Sequence, residues 1–417
     1  MKSLVEKFNT KLNRDEIRIV LNMVEIGLAI LCAICVVVAT VKIGQIKDTL
    51  DETKVNRGNL DNIESMMLEI KGLYEKYYIK SDIDNGDIED YALSGFAAGY
   101  KDEYGGYISP KLTEEMENER LEKLVGIGVH MMYEGEVGFY IIGVYRDSPA
   151  EKAGIRAGDY IISAGDTTSE NNTNSEMLEA IRGEDGTTVE MGIRRGDEVF
   201  TVEVIRSDVK TESVFGKLVG EVAYIKIDKF TEHTDSEFIQ CMEEFSSQGI
   251  EKYIIDLRNN TGGVANTVIN MVDYMVPKGL IARFEFVDSE NNTEYYSEAS
   301  EFNGDIVVLI NATSASASEL FSQSMKDYGK ATVIGVRSYG KGTVCSTYSL
   351  SNGGSLMLSA GKYYTLSGVE IEGNGVEPDI EVKMKYADLK ILYKLPLDED
   401  NQFLAAYKAL TGKDSWE

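Results

Sequence analysis

The pattern of apolar and polar positions divides the chain into stretches of distinct character. Ile26 to Val41 (IGLAILCAICVVVATV) carries no charge, and extended back to Ile19 it reaches spanning length, interrupted by Asn22 and Glu25. About twenty such residues cross a bilayer as one helix. With no small-residue cleavage site behind it, the segment reads as a retained transmembrane helix over 19–41 rather than a removed leader. Next, Leu50, Val55, Leu60, Ile63, Met66, Met67 and Ile70 recur at three-to-four spacing, which predicts a helix over Asp48 to Glu69. It either packs on the body as a stalk or pairs with a second copy, making a homo-oligomer. The helical pattern continues from Leu68 to Tyr107.

From Val125 to Arg206 the period shortens, predicting a small β-rich unit. Strands are expected at Tyr140–Tyr145, Thr187–Arg194 and Val199–Ile205, with a helix around Glu176–Ile181. After Glu221, strands alternate with helices: strand Val222–Ile227, helix Asp235–Gln248, a strand from Tyr253, a helix through Met275, strand Ile306–Ile310 and helix Glu319–Tyr328. Thr343–Leu350 then reads as a strand, Gly354–Tyr364 as a strand pair and Asp398–Leu410 as a closing helix. Ile306–Ile310 is an unbroken β-branched and leucine run, the mark of a strand covered on both faces. The fold class is therefore α/β (α+β) and multidomain. The division is a 1–18 N-terminus, a 19–41 span, a 42–124 helical segment, a 125–206 β-rich unit, a 207–390 α/β core and a 391–417 helical end.

Composition narrows the function. At 417 residues and a formal charge of −28, the chain has no basic face to offer nucleic acid. Cys32 and Cys35 fall inside the apolar span, while Cys241 and Cys345 stand far apart, so neither a disulfide framework nor zinc spacing is present. No metal and no cofactor is expected. Lys2, Lys7, Lys11, Arg14 and Arg18 precede the span, and Lys42 and Lys47 follow it. That bias points to a cytoplasmic N-terminus and an extracytoplasmic body held at the cell membrane by one pass.

The candidate chemistry lies in DIVVLINATSASASELFSQSMKDYGKATVIGVRSYGKGTVCSTYS, Asp305 to Ser349. Small residues only, Ser314-Ala-Ser-Ala-Ser318, join a buried strand to a helix, a place where a peptide can approach a serine and unpaired N–H groups point outward. The chain has only two histidines, His130 and His233, neither near an obvious acid partner, so a Ser-His-Asp machine is not indicated. Lys341, in Tyr339-Gly-Lys-Gly-Thr343, is the nearer base; a lysine serves as base only when neutral. Taken singly, a Ser/Ala run is a turn or cap and a Gly-Lys-Gly a solvated loop.

Together, SASASE, Asp327-Tyr-Gly, Gly335 and Tyr-Gly-Lys-Gly-Thr-Val344 resemble the carboxyl-terminal processing peptidases, or tail-specific proteases. The resemblance also rests on Asp256-Leu-Arg-Asn-Asn-Thr-Gly-Gly263 and on Gly368-Val-Glu-Ile-Glu-Gly-Asn-Gly-Val-Glu-Pro-Asp-Ile-Glu-Val382, and covers about Leu68 to Leu410. It implies a ClpP/crotonase-like peptidase core in which Ser316 is the nucleophile and Lys341 its base. Gly262 and Gly263, with the N–H of Ala317, would then form an oxyanion hole, although from these residues alone a helix-entry turn reads equally well. Thr261 stands where the family usually has proline or glycine. SPAEKAG and AGDYI, between Ser148 and Ile161, look like a PDZ domain placed before the core, with Gly126, Ile127, Gly128 and Val129 as its peptide-carboxylate loop. Arg182 stands where related PDZ domains of proteases have an arginine, a weak candidate for coupling to the core.

The resemblance implies a serine endopeptidase acting on unfolded polypeptides or their C-termini. Cys345 departs from it: many members carry glutamine four residues after the lysine, orienting the amine. Ser338 or Asp327 are candidates to compensate. The alternative is a membrane-tethered PDZ scaffold with impaired catalysis.

Overall fold

A computed structural model describes residues 57–79, 85–120, 123–298 and 301–416. The expected 19–41 span and the termini around it lie outside the described residues. Among the described residues, no helix is long and apolar enough to cross a membrane. Two compact units are present, 1–85 and 86–417. In the first, the predicted helix runs Arg57–Tyr77.

The second unit begins with helix Asn85–Ala98 and then leaves the helical pattern expected as far as Tyr107. Instead Gly106–Ile108 is a strand, β1, followed by helix Pro110–Arg120. The cause is the Asp102-Glu-Tyr-Gly-Gly106 turn. A Cβ on Gly105 would come within 2.3 Å of Asp102 Oδ2 and 2.8 Å of Met357 O, so only glycine lets the chain lie this close to the sheet it joins.

The β-rich unit is entered and left through a two-stranded ribbon, β2 (Lys123–Gly126) against β9 (Ser207–Lys210). Between them lie β3 (Val129–Tyr133), β4 (Phe139–Val144), β5 (Tyr160–Ala164), β6 (Thr167–Thr168), β7 (Thr188–Arg195) and β8 (Glu198–Ile205). Their order is β3-β4-β5-β7-β8, with β6 on β5, so β3 is an edge strand. Helix Asn174–Ile181, fixed by a Thr173–Glu176 capping box, puts Met177 and Ile181 into a core with Ile141, Ile161, Met191 and Ile193.

The α/β core holds a six-stranded sheet in the order β10-β11-β12-β15-β16-β19. Its strands are β10 (Val214–Val219), β11 (Val222–Ile227), β12 (Lys252–Asp256), β15 (Asp305–Ile310), β16 (Ala331–Gly335) and β19 (Ile380–Glu381). From β11 to β19 every pairing is parallel. The continuous apolar run predicted for β15 is buried from Ile306 to Ile310 because both faces are covered. On one face Phe238, Val272, Phe321 and Met325 pack from helices Thr234–Ser247, Ala265–Met275 and Ala317–Asp327. Phe403, Ala406 and Tyr407 of helix Asn401–Thr411 pack on the other. The C-terminal helix is thus part of the core's layering.

A second sheet, of five strands, lies beside the first: β1, β13 (Gly279–Phe286), β14 (Thr293–Ser297), β17 (Thr343–Ser349) and β18 (Ser355–Thr365). The strand pair expected over Gly354–Tyr364 is one long strand, β18. Its partners are β17 on one edge and β1 and β13 on the other.

Helix Asn401–Thr411 is tied to the sheet by Arg258, 1% exposed, which donates to Asp256 (2.6 Å) and to Asp400 (2.8 Å), the helix N-cap. Burial pushes the Asp256 carboxyl up, but the Arg258 and Lys226 charges win and hold it well below the usual range. Its contribution to stability is therefore full above the unfolded value of ~3.9 and is lost as pH falls further. Replacing Arg258 with methionine takes the cation from Asp400 and leaves Asp256 with Lys226 at 3.9 Å, and we expect a loss of about 3–5 kcal/mol in unfolding free energy. A urea midpoint equal to wild type at pH 7 would show that the guanidinium is dispensable.

Candidate active site

The loops after β12 and β15 emerge side by side at the carboxyl edge of the sheet, where open parallel sheets bind their ligands. Asparagines zip them together: Asn259 N–H donates to Asn311 Oδ1 (3.0 Å), and Asn311 Nδ2 to Asn259 Oδ1 (2.7 Å). Asn259, at φ 63°, is one of four non-glycine residues in the left-handed region among those described.

The three serines of the run differ in what their hydroxyls do. Ser314, fully buried, donates to Leu257 O (2.8 Å) and accepts from Asn311 N (2.9 Å). Ser318, also buried, donates to Asn260 O (2.9 Å). Both are structural. Ser316, by contrast, is half-exposed. Its backbone is strained, at φ 55° and ψ −114°, outside the wells a side-chain-bearing residue prefers. Such strain costs ~1–3 kcal/mol and persists only where the surroundings impose it.

Glu319 imposes it. This fully buried carboxylate, three residues into the helix, accepts the Ser316 N–H at 2.7 Å and the Lys341 N–H at 2.8 Å on Oε2. On Oε1 it accepts from Gly340 N (2.6 Å) and Ser338 Oγ (2.5 Å). Burial pushes its proton affinity up, against the pull of those four donors. From the other side the Tyr363 hydroxyl lies 3.0 Å from Ser316 O and 3.1 Å from Lys341 O. The structure thus brings the backbones of Ser316 and Lys341 together between one carboxylate and one phenol. Sequence reasoning missed both, although Ser316-x-x-Glu319 is the spacing of a capping box.

Gly262 lies directly against Ser316, since a Cβ there would be 2.9 Å from Ser316 Cβ and from Ala315 O. Its N–H donates to Asn260 Oδ1 (2.9 Å). The N–H groups of Gly263 and Ala317 have no acceptor among the described residues. Gly263 is held by a bridge to Phe230, whose carbonyl leaves no room for a side chain, with a Cβ 2.0 Å away.

The Lys341 amine lies over the Tyr104 ring, 4.7 Å from its centroid. Cys345 does face Lys341, and its thiol is directed at Tyr104 O, 3.9 Å away. Burial pushes that thiol's pKa up, so it is neutral at pH 7 and does not act as a counter-ion. Neither compensating candidate is at the amine. Ser338 is spent on Glu319 and Val376 N, and Asp327 ties its helix to Gln323, Thr365 and Ser367.

In the β-rich unit Gly128, at φ 80°, sits on Ser148, where a Cβ would be 2.4 Å from Ser148 Cβ. Gly126 ends β2, Ile127 is buried and its carbonyl accepts Ala150 N (2.8 Å), and Val129 opens edge strand β3. Arg182 is exposed and lines a cavity of about 610 Å³ between this unit and the core, with Glu212, Asp228 and Lys229. His130 does find an acid in space: Nδ1 is 2.8 Å from Asp228 Oδ2, across the junction with the core.

The profile of Peptidase family S41 matches residues 221–382, and that of a PDZ domain residues 123–205. A CtpA-like serine protease of Staphylococcus aureus is 31% identical over 373 residues, covering 88% of this chain and 73% of its own. Its Staphylococcus epidermidis counterpart is 30% identical over 374 residues, 89% and 74%. The solved structure of an S41 protease from Bacteroides fragilis superposes with TM-score 0.55 at 16% identity, covering 81% of this chain and 94% of that one, a likeness of fold. A carboxyl edge built around a strained serine, on a chain this similar to named proteases, identifies it: the protein belongs to the S41 C-terminal processing peptidases and is a serine peptidase with a PDZ domain.

Proposed function

We propose that the protein is an endopeptidase that cleaves unstructured polypeptides near or from their C-termini, using Ser316 as nucleophile and Lys341 as base. The observation that carries this reading is the convergence of both backbones on Glu319 and Tyr363. Neutral Lys341 takes the Ser316 Oγ proton as the oxygen attacks the peptide carbonyl. The oxyanion rests on the N–H groups of Gly263 and Ala317, which are free to receive it, while Gly262 supports them by allowing close approach. The proton passes to the leaving amine, and water then releases the acyl group by the same steps in reverse order. No metal or cofactor enters.

Edge strand β3, with the Gly126–Val129 loop at its start, would take a polypeptide end as an added strand, and Arg182 at the junction would report that binding to the core. The apolar 19–41 stretch would tether the body to the outer face of the cell membrane.

With the full chain in detergent micelles and fluorescein-labelled casein as an unfolded substrate, Ser316→Ala and Lys341→Ala should each abolish cleavage. Turnover surviving either change removes that residue from its role. Glu319→Gln places an NH2 among four donors, costing ~1–3 kcal/mol for each unsatisfied group. It should lower the thermal midpoint and cut kcat at least tenfold; wild-type kcat would mean the carboxylate only caps its helix. Cys345→Gln should raise kcat severalfold, and an unchanged or lower value would count against an amine-orienting role for position 345.

A further inference from the structure

Position 345 lacks the amide that the Ser316–Lys341 reading leads one to seek beside the lysine, yet the Lys341 amine has a defined seat. That seat is the face of Tyr104, a residue carried not by the peptidase core but by the turn ahead of β1. The ring is fixed at both ends. Its hydroxyl donates to Glu372 Oε1 (3.1 Å), and the other oxygen of that carboxylate accepts Gly342 N (2.9 Å) and Thr343 Oγ1 (2.7 Å), the two residues after Lys341. Its N–H donates to Asp102 Oδ1 (3.1 Å), while Asp102 Oδ2 accepts Ser359 N (2.8 Å) of β18. The Tyr104 carbonyl meets the Cys345 thiol. Ring and lysine loop are therefore held against each other through Glu372, and the strand that carries Cys345 is held to both.

We propose that Tyr104 is a positioning residue for the Lys341 amine, its ring face seating the charged form of the base. This rests on the Ser316–Lys341 reading. A cation within about 6 Å of a ring centroid is attracted by the ring quadrupole, whereas a neutral amine is held far less. The Cys345 thiol, which faces the amine, is neutral, and the carboxylates of Glu372 and Asp102 that act on that thiol are already engaged by donors. To act as base, Lys341 must first give its proton to solvent, a step that a ring face favouring the cation opposes.

The test varies the ring's electrons while keeping its shape. In the full chain, Tyr104→Phe retains the face while losing the hydroxyl bond to Glu372, and it is the reference for the fluorinated ring. Trifluorophenylalanine at 104, which drains the face, should raise kcat about threefold over Phe with KM unchanged, and Tyr104→Leu should do the same if it folds. A residue that only packs would leave Phe and its fluorinated form equal, and that equality, or a fall on fluorination, overturns the proposal. A second readout needs no turnover. In the Ser316→Ala chain labelled with 13Cε-lysine, one lysine resonance should show an upfield ring-current shift that disappears in Lys341→Met and in Tyr104→Leu; its absence also overturns the proposal. Activity persisting in Lys341→Ala would instead sink the Ser–Lys reading itself, while a dead Lys341→Ala with no effect of fluorination would sink only the role of Tyr104.

Discussion

A buried carboxylate surrounded by backbone donors is the constraint on which the rest of this site depends. Glu319 has no cationic partner in its shell; its four contacts are three N–H groups and one hydroxyl. Burying a carboxylate in that way is costly unless the donors are all in place at once. Two of them, on Gly340 and Lys341, come from a loop more than twenty residues further along the chain, so the loop cannot drift without leaving the carboxylate unsatisfied. The same contacts impose the strained backbone of Ser316. Strain at the serine and order in the lysine loop are two consequences of one desolvated group.

The glycines make sense against this frame as points of close approach rather than as flexible joints. Gly262 touches Ser316, Gly263 touches Phe230, and Gly342 would place a Cβ 2.6 Å from Glu372 N. These approaches bring the segment after β12 against those after β15 and β11, and the segment after β16 against the one after β18. Side chains at those glycines would separate the N–H groups from the serine they flank. This is why the turn after β12 tolerates threonine at 261, which is exposed, while the two positions after it have no space to vary.

Most of the scaffold was legible from periodicity. The unbroken run Ile306–Ile310 reads as a strand covered on both faces, and Phe321 and Met325, four apart, belong to the helix that covers one of them. The local half of Glu319 was legible as well, in the Ser-x-x-Glu spacing. What local pattern could not carry was adjacency across the chain: that β12 lies beside β15, that Tyr363 on β18 reaches both Ser316 and Lys341, and that His130 meets Asp228. The Asp102–Tyr107 stretch failed for a different reason. Its flanking helical rhythm predicts continued helix, but Gly105 and Gly106 allow a backbone-to-backbone approach to β18, and strand pairing overrides local preference.

The contacts that seat the PDZ unit are continuous with those that hold the peptidase turn. Glu134 of the PDZ unit meets Tyr393 and Lys394 of the C-terminal segment, and Tyr140 packs edge-on to Tyr393 at 5.7 Å. His130 reaches Asp228 in the core, and Lys226, 3.8 Å from Asp228, donates to Arg258 O. Arg258 precedes Asn259, whose side chain grips the loop that carries Ser316. The His130–Asp228 and Lys394–Glu134 pairs are partly buried, so each loses more by opening than a fully exposed ion pair would. A shift of the PDZ unit would therefore have to break His130 from Asp228 before Arg258 felt it, and Arg258 is itself pinned by Asp256 and Asp400. The sheet edge is anchored from beneath by that buried pair of carboxylates more firmly than it is held from the PDZ side.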